Sequence, residues 1–70
     1  MDNEIIMSYN TKIYNEMIIK KCIDDYKNIC EVNVELKDNN FKCTFSNFNF
    51  DPIETILEFS NYLIENINMR

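Results

Sequence analysis

Apolar and polar residues alternate singly along three stretches of this chain and recur at three-and-four spacing along two others. Ile5, Met7, Tyr9, Thr11 and Ile13 share one parity and Ser8, Asn10 and Lys12 the other, the period of a half-buried strand. This predicts a first strand from about Glu4 to Tyr9, with extended chain up to Tyr14. Asn15 then suits a helix N-cap, and Ile18, Ile19, Cys22, Ile23, Tyr26 and Ile29 trace an apolar stripe opposite Glu16, Lys20, Lys21, Asp24, Asp25 and Lys27, so a first helix is expected over 15–28. Val32, Val34 and Leu36 alternate with Glu31, Asn33, Glu35 and Lys37, and Asp38, Asn39 and Asn40 supply the residues of a hairpin turn. A third strand follows, with Phe41, Cys43 and Phe45 inward and Lys42, Thr44 and Ser46 outward. Its parity breaks at Asn47, and Phe48 and Phe50 continue on the other phase, as at a bulge or the end of pairing.

The second helix is announced by three start signals within four residues: Asp51 as cap, Pro52 in the first turn and Glu54 to complete a capping pattern. Ile53, Ile56, Leu57, Ser60, Leu63, Ile64 and Ile67 then define the face expected to meet the core. Strand, helix, strand, strand, helix is an α+β order. It predicts a three-stranded mixed sheet with both helices on one face, a ferredoxin-like split unit lacking its last strand. In the complete motif that last strand pairs with the first, so one edge of the first strand is expected to stand open. The 70 residues are expected to form one small domain, near the size at which a core only just outweighs chain entropy.

Composition narrows the function more by exclusion than by pointing. The net charge of −5 comes without a basic run, which argues against nucleic acid as a partner. No stretch approaches the length of a membrane span and no basic leader precedes an apolar segment, so a cytoplasmic protein is expected. The chain has no Gly and no His, and the abundance of Asn, Ile and Lys fits an AT-rich bacterial genome. With no phosphate loop and no nucleophile beside an evident base, no catalytic constellation can be assembled, and neither cofactor nor enzyme activity is expected.

Cys22, Cys30 and Cys43 match no metal or redox spacing. Cys22 and Cys43 lie on apolar parities and read as small buried hydrophobes, whereas Cys30, at the junction between the first helix and the second strand, is expected to be more exposed. Asp24 and Asp25 point about 100 degrees apart on a helix and cannot act as a pair. They read as a solvated face, as do Glu54, Glu58 and Glu65, with the docking of a basic peptide on such an acidic helix face as the alternative. Phe48 and Phe50, past the parity break, are candidate exposed anchors, and Phe59 and Tyr62 flank the second helix's stripe as candidate interface residues.

The segment Leu63-Ile64-Glu65-Asn66-Ile67-Asn68-Met69-Arg70 resembles the C-terminal signature Leu-Leu-Asn-Asp-Tyr-x-Leu-Arg-Glu of the His-Xaa-Ser system protein HxsD family. Leu63 and Arg70 are identities, Ile64 and Met69 conservative replacements, and Ile67 stands where the family has Tyr. The stretch from Lys12 to Tyr26 is also similar to that family's helix start, through Tyr14 and Asn15. The resemblance implies a small accessory protein of clusters in which radical SAM enzymes modify ribosomally made (RiPP) peptides, with the precursor peptide or the maturase as partner. The open edge of the first strand offers a physical means: Ile5, Met7 and Tyr9 would support an added strand from the core side while Ile6 and Ser8 face the other way. The alternative is a homodimer through the same edge, serving as a structural or regulatory module that binds a small molecule or a partner protein.

Overall fold

The computed structural model describes residues 4–68; Met69 and Arg70, which enter the resemblance above, lie outside them. The elements follow the expected order: β1 (Ile5–Asn10), α1 (Glu16–Asp25), β2 (Glu31–Lys37), β3 (Asn40–Ser46) and α2 (Pro52–Asn68). Each boundary has a local cause. Asn15, in extended conformation, accepts a hydrogen bond from the Ile18 N–H at 2.8 Å and so caps α1. Asp51 accepts from the Glu54 N–H at 3.0 Å and caps α2. Asp38 and Asn39 both take positive φ, 52° and 65°, the two-residue turn whose twist matches a hairpin. Asn47 also turns left-handed, at φ 51°. The parity break there is therefore the end of β3, not a bulge within it.

The sheet order is β1-β3-β2, and both pairings are antiparallel, with Ile5 opposite Phe45 in one and Val32 opposite Phe45 in the other. The α+β architecture is as expected, but the sheet is antiparallel throughout instead of mixed. Because β3 inserts between them, the two strands that run parallel, β1 and β2, never pair. That central strand is the most buried: Phe41, Cys43 and Phe45 all lie in the core.

The core also holds Tyr9, Ile19, Cys22, Cys30, Ile56, Phe59 and Leu63, with Tyr14, Tyr26, Phe48 and Tyr62 packed around it. Phe59 lies at its centre, fully buried, with rings of Phe45, Tyr26 and Tyr9 at 5.0, 5.2 and 6.3 Å between centroids. This corrects the expectation that Phe59 flanks the helix stripe at an interface. The face of α2 that meets the core is Thr55, Ile56, Phe59 and Leu63, while Ile53, Leu57 and Ile64, expected inside, are 62%, 60% and 46% exposed. Two further expectations are corrected. Cys30 is buried, with the Cys30 N–H donating to the Tyr26 carbonyl oxygen at the end of α1, and Leu36 is exposed because it lies near the hairpin end of β2.

Candidate functional site

The two outer strands each leave one edge without a partner among the described residues, and the alternation of the ladder says which backbone groups that frees. The Thr11 N–H donates to the Asn39 carbonyl oxygen at 3.0 Å, one step beyond the pairing of Asn10 with Asn40. Bonded and non-bonded pairs alternate in an antiparallel ladder. The odd residues of β1 therefore direct N–H and C=O toward β3, and Ile6, Ser8 and Asn10 direct theirs to the open side. The Asn10 carbonyl accepts from the Ile13 and Tyr14 N–H groups. Among the described residues, Ile6 and Ser8 remain as the strand's free donors and acceptors.

Helix α2 lies over this edge. Its position follows from three sets of contacts. Tyr62 and Asn66 face α1: the Tyr62 hydroxyl donates to Asp25 Oδ2 at 2.6 Å, and Lys21 Nζ donates to Asp25, Asn66 Oδ1 and Tyr62 at 2.9, 3.3 and 3.4 Å. Ile56, Phe59 and Leu63 face the sheet. Ser60 reaches β1, its Oγ 3.0 Å from the Tyr9 hydroxyl. With residues about 100 degrees apart around a helix, Ile53, Leu57 and Ile64 share the side of Ser60, directly opposite α1. Three large exposed apolar side chains thus form a ledge on the side of α2 turned from α1, with Ile53 projecting sideways and Leu57 turned most nearly away from the sheet. The spacing predicts these three residues inside, and periodicity alone holds no signal that turns them out.

Of the residues singled out from sequence, Ile5, Met7 and Tyr9 pack on the core side of β1, and Ile6, 55% exposed, and Ser8 lie on the other face. Burial pushes the Tyr9 hydroxyl up to about 12, against which the hydrogen bond with Ser60 acts, so it stays protonated at neutral pH. Tyr62 is half-buried in the α1–α2 contact, where its hydroxyl and Lys21 hold the Asp25 carboxyl below its ordinary range. Phe48 is not an exposed anchor, because it packs against the core. Phe50 is exposed and lines a separate cleft of about 390 Å³ with Ile29, Asp51, Glu54, Thr55 and Glu58. The structure therefore gathers Ile5 to Tyr9 at one edge and leaves Phe50, Phe59 and Tyr62 elsewhere.

The cysteines are buried and unpaired with one another. Desolvation raises the thiol of each above its ordinary value, to about 11 for Cys43, which works against thiolate chemistry. Among the described residues no group of three or more His, Cys, Asp or Glu side chains is placed to hold a metal ion, and no helix is long and apolar enough to cross a membrane. No family model, no curated protein and no solved structure matches this chain.

Proposed function

We propose that this protein is a non-catalytic binding module that accepts an extended peptide segment as a fourth strand on β1. In the setting that the HxsD resemblance implies, the segment is the leader of a ribosomally made precursor peptide or a strand of its radical SAM maturase. The observation that carries the reading is the open, uncharged edge of β1. Backbone hydrogen bonds to Ile6 and Ser8 hold such a segment, and its side chains lie alternately under the helix and on the outer face of the sheet. The module contributes proximity: it presents the peptide to the enzyme that modifies it.

The test is the solution mass by light scattering, alone and with an equimolar candidate leader. The expected result is a monomer near 8.5 kDa that takes up one peptide and fails to do so as Ser8→Pro. Ser8 is the position to change because its N–H faces the open side, so proline there removes an edge donor without removing a bond to β3. Proline at Met7 would break the β1–β3 ladder itself. A dimer unchanged by peptide or dilution overturns the reading in favour of the β1-to-β1 homodimer.

A further inference from the structure

We infer that the cleft between the end of α1 and the start of α2 receives an arginine side chain of a partner polypeptide. This surface is separate from the open edge of β1, so the inference goes beyond the strand-addition reading and does not depend on it.

Phe50 and the acidic row of α2, far apart in character along the chain, meet in this cleft. Asn49 brings them together. Its N–H donates to the Ile29 carbonyl oxygen at 2.9 Å and its Nδ2 to the Asn28 carbonyl oxygen at 2.8 Å, which ties the β3–α2 connection to the junction of α1 and β2. The next residue, Phe50, is held beside Ile29 with most of its ring in water, whereas Phe48 packs against the core. An aromatic ring fixed in place and left uncovered is a platform prepared for a ligand.

Asp51, Glu54 and Glu58 form the facing wall. Spacings of three and four set them in one row along α2, neighbours at roughly 5–6 Å between Cβ atoms. Asp51 keeps a carboxylate oxygen free of the cap, since it is Oδ2 that accepts from the Glu54 N–H. Among the described residues no cation pairs with any of the three. Lys27, two residues before Ile29, is 3.7 Å from Asp24 instead. The groove thus has an apolar floor and an uncompensated acidic wall.

A guanidinium is complementary to both. Its flat cation stacks on an aromatic face while its forked N–H groups reach two carboxylates, and its apolar stem covers Ile29. Lysine answers the carboxylates but has no plane to lay on Phe50. A volume of about 390 Å³ holds more than a lone guanidinium and leaves room for the backbone that carries it. A second copy is a poor source. Lys20, Lys21, Lys27 and Lys42 are in ion pairs of their own, and Lys12 and Lys37 lie at the hairpin end of the sheet, away from the cleft where β2 begins. Contact through them would run head to tail and build rings or filaments instead of a two-fold dimer.

The experiment follows amide chemical shifts by NMR while the protein is titrated with a short serine-rich peptide bearing one central arginine. Citrulline, the neutral isostere, and lysine replace the arginine in two further peptides, and free arginine amide is the fourth probe. The arginine peptide is expected to shift Ile29, Phe50, Glu54 and Glu58, to leave Ile6 and Ser8 unmoved, and to bind Ser8→Pro as it binds the parent. Citrulline should weaken binding about tenfold, as should Glu54→Gln combined with Glu58→Gln. Lysine should weaken it about two- to fivefold, and Phe50→Ala should erase that preference. All three side chains are exposed, so these variants keep the fold. Equal binding of citrulline, or a preference for arginine that survives Phe50→Ala, would leave an acidic surface only and overturn the assignment. Free arginine amide binding as tightly as the peptide would overturn the polypeptide as its source. Self-association abolished by Phe50→Ala would make a second copy the occupant and overturn it as well. Each of these results leaves the β1 reading where it stands.

Discussion

The two edges of this sheet are built from the same kind of strand and treated in opposite ways. β2 carries Glu31, Glu35 and Lys37 along its outer row, with Lys42 of β3 3.7 Å from Glu35, and the helix above it presents the Glu16–Lys20 ion pair at 2.9 Å. The small cleft there, about 110 Å³, is rimmed by those same charges with Val34 and Leu36. Charged side chains on an edge strand discourage another strand from pairing with it, because pairing would desolvate them. β1 has no such guard: its six residues are uncharged, and the side of α2 turned from α1 offers Ile53, Leu57 and Ile64. An edge that is open and uncharged can pair with another strand without desolvating a charge, which is the physical reason for proposing that it does. Leu36 on β2 and Met17 on α1 show that exposed apolar side chains occur on the guarded side too, there among charged neighbours.

The largest effect is expected where α2 divides its two faces. Phe59→Ala should destabilise the fold by about 3–5 kcal/mol in urea unfolding, close to the whole stability of a domain this small. Leu57→Ala, two positions earlier on the ledge, should change it by no more than about 0.5 kcal/mol. If the two substitutions cost the same, the ledge is packed in solution and the contrast between the edges disappears.

Next in size is the response to alkali. The Cys43 thiol rises from 9.0 to about 11 and the Tyr9 hydroxyl from 10.0 to about 12, both by desolvation in the fold. Each raised value means that the unfolded chain releases its proton first. The associated stability is full below pH 9 and is lost as pH rises through 9–12. Thermal melting followed from neutral pH upward should show the midpoint falling over that window. With Tyr9→Phe the fall should begin at the same point and be shallower.

Caps come third. Asp51→Ala removes the oxygen that the Glu54 N–H donates to and should cost about 1 kcal/mol, measured by the same unfolding titration. The smallest effect on stability sharpens the comparison most. Ile6→Lys gives β1 the kind of outer-row charge that β2 already has, at a side chain 55% exposed. It should leave urea unfolding within about 0.5 kcal/mol of the parent and yet weaken uptake of an extended peptide followed by light scattering. Lost stability without lost uptake would mean that the open edge is not the binding surface.

Much of this molecule is local and therefore legible in its sequence. Asn15 and Asp51 stop one conformation and start another through hydrogen bonds three residues away, Asp38 and Asn39 tolerate the left-handed turn, and Val32, Val34 and Leu36 alternate because a strand does. Element order and type follow from such signals, as does the two-sided character of β1. What the chain alone leaves undetermined is which way α2 faces. Its apolar residues cover more than half of its circumference, so two stripes compete: Ile56, Phe59 and Leu63 on one side, Ile53, Leu57 and Ile64 on the other. Periodicity measures that a stripe exists, not which stripe a sheet will cover.

The tertiary structure made that choice. β3 passed between β1 and β2, α1 took the space over the β2 side, and burial of Phe59 against Phe45, Tyr26 and Tyr9 set the rotation of α2, with Tyr62 and Asn66 then meeting Asp25 and Lys21 at the surface. The second stripe was thereby left exposed. Cys30 was buried by the same closure, which no residue near it in sequence announces. Local backbone preferences and single-element periods act over a few residues and are written in the chain. Which of two apolar faces becomes the core depends on residues about fifty positions apart, Tyr9 and Phe59, and exists only once the fold has brought them together.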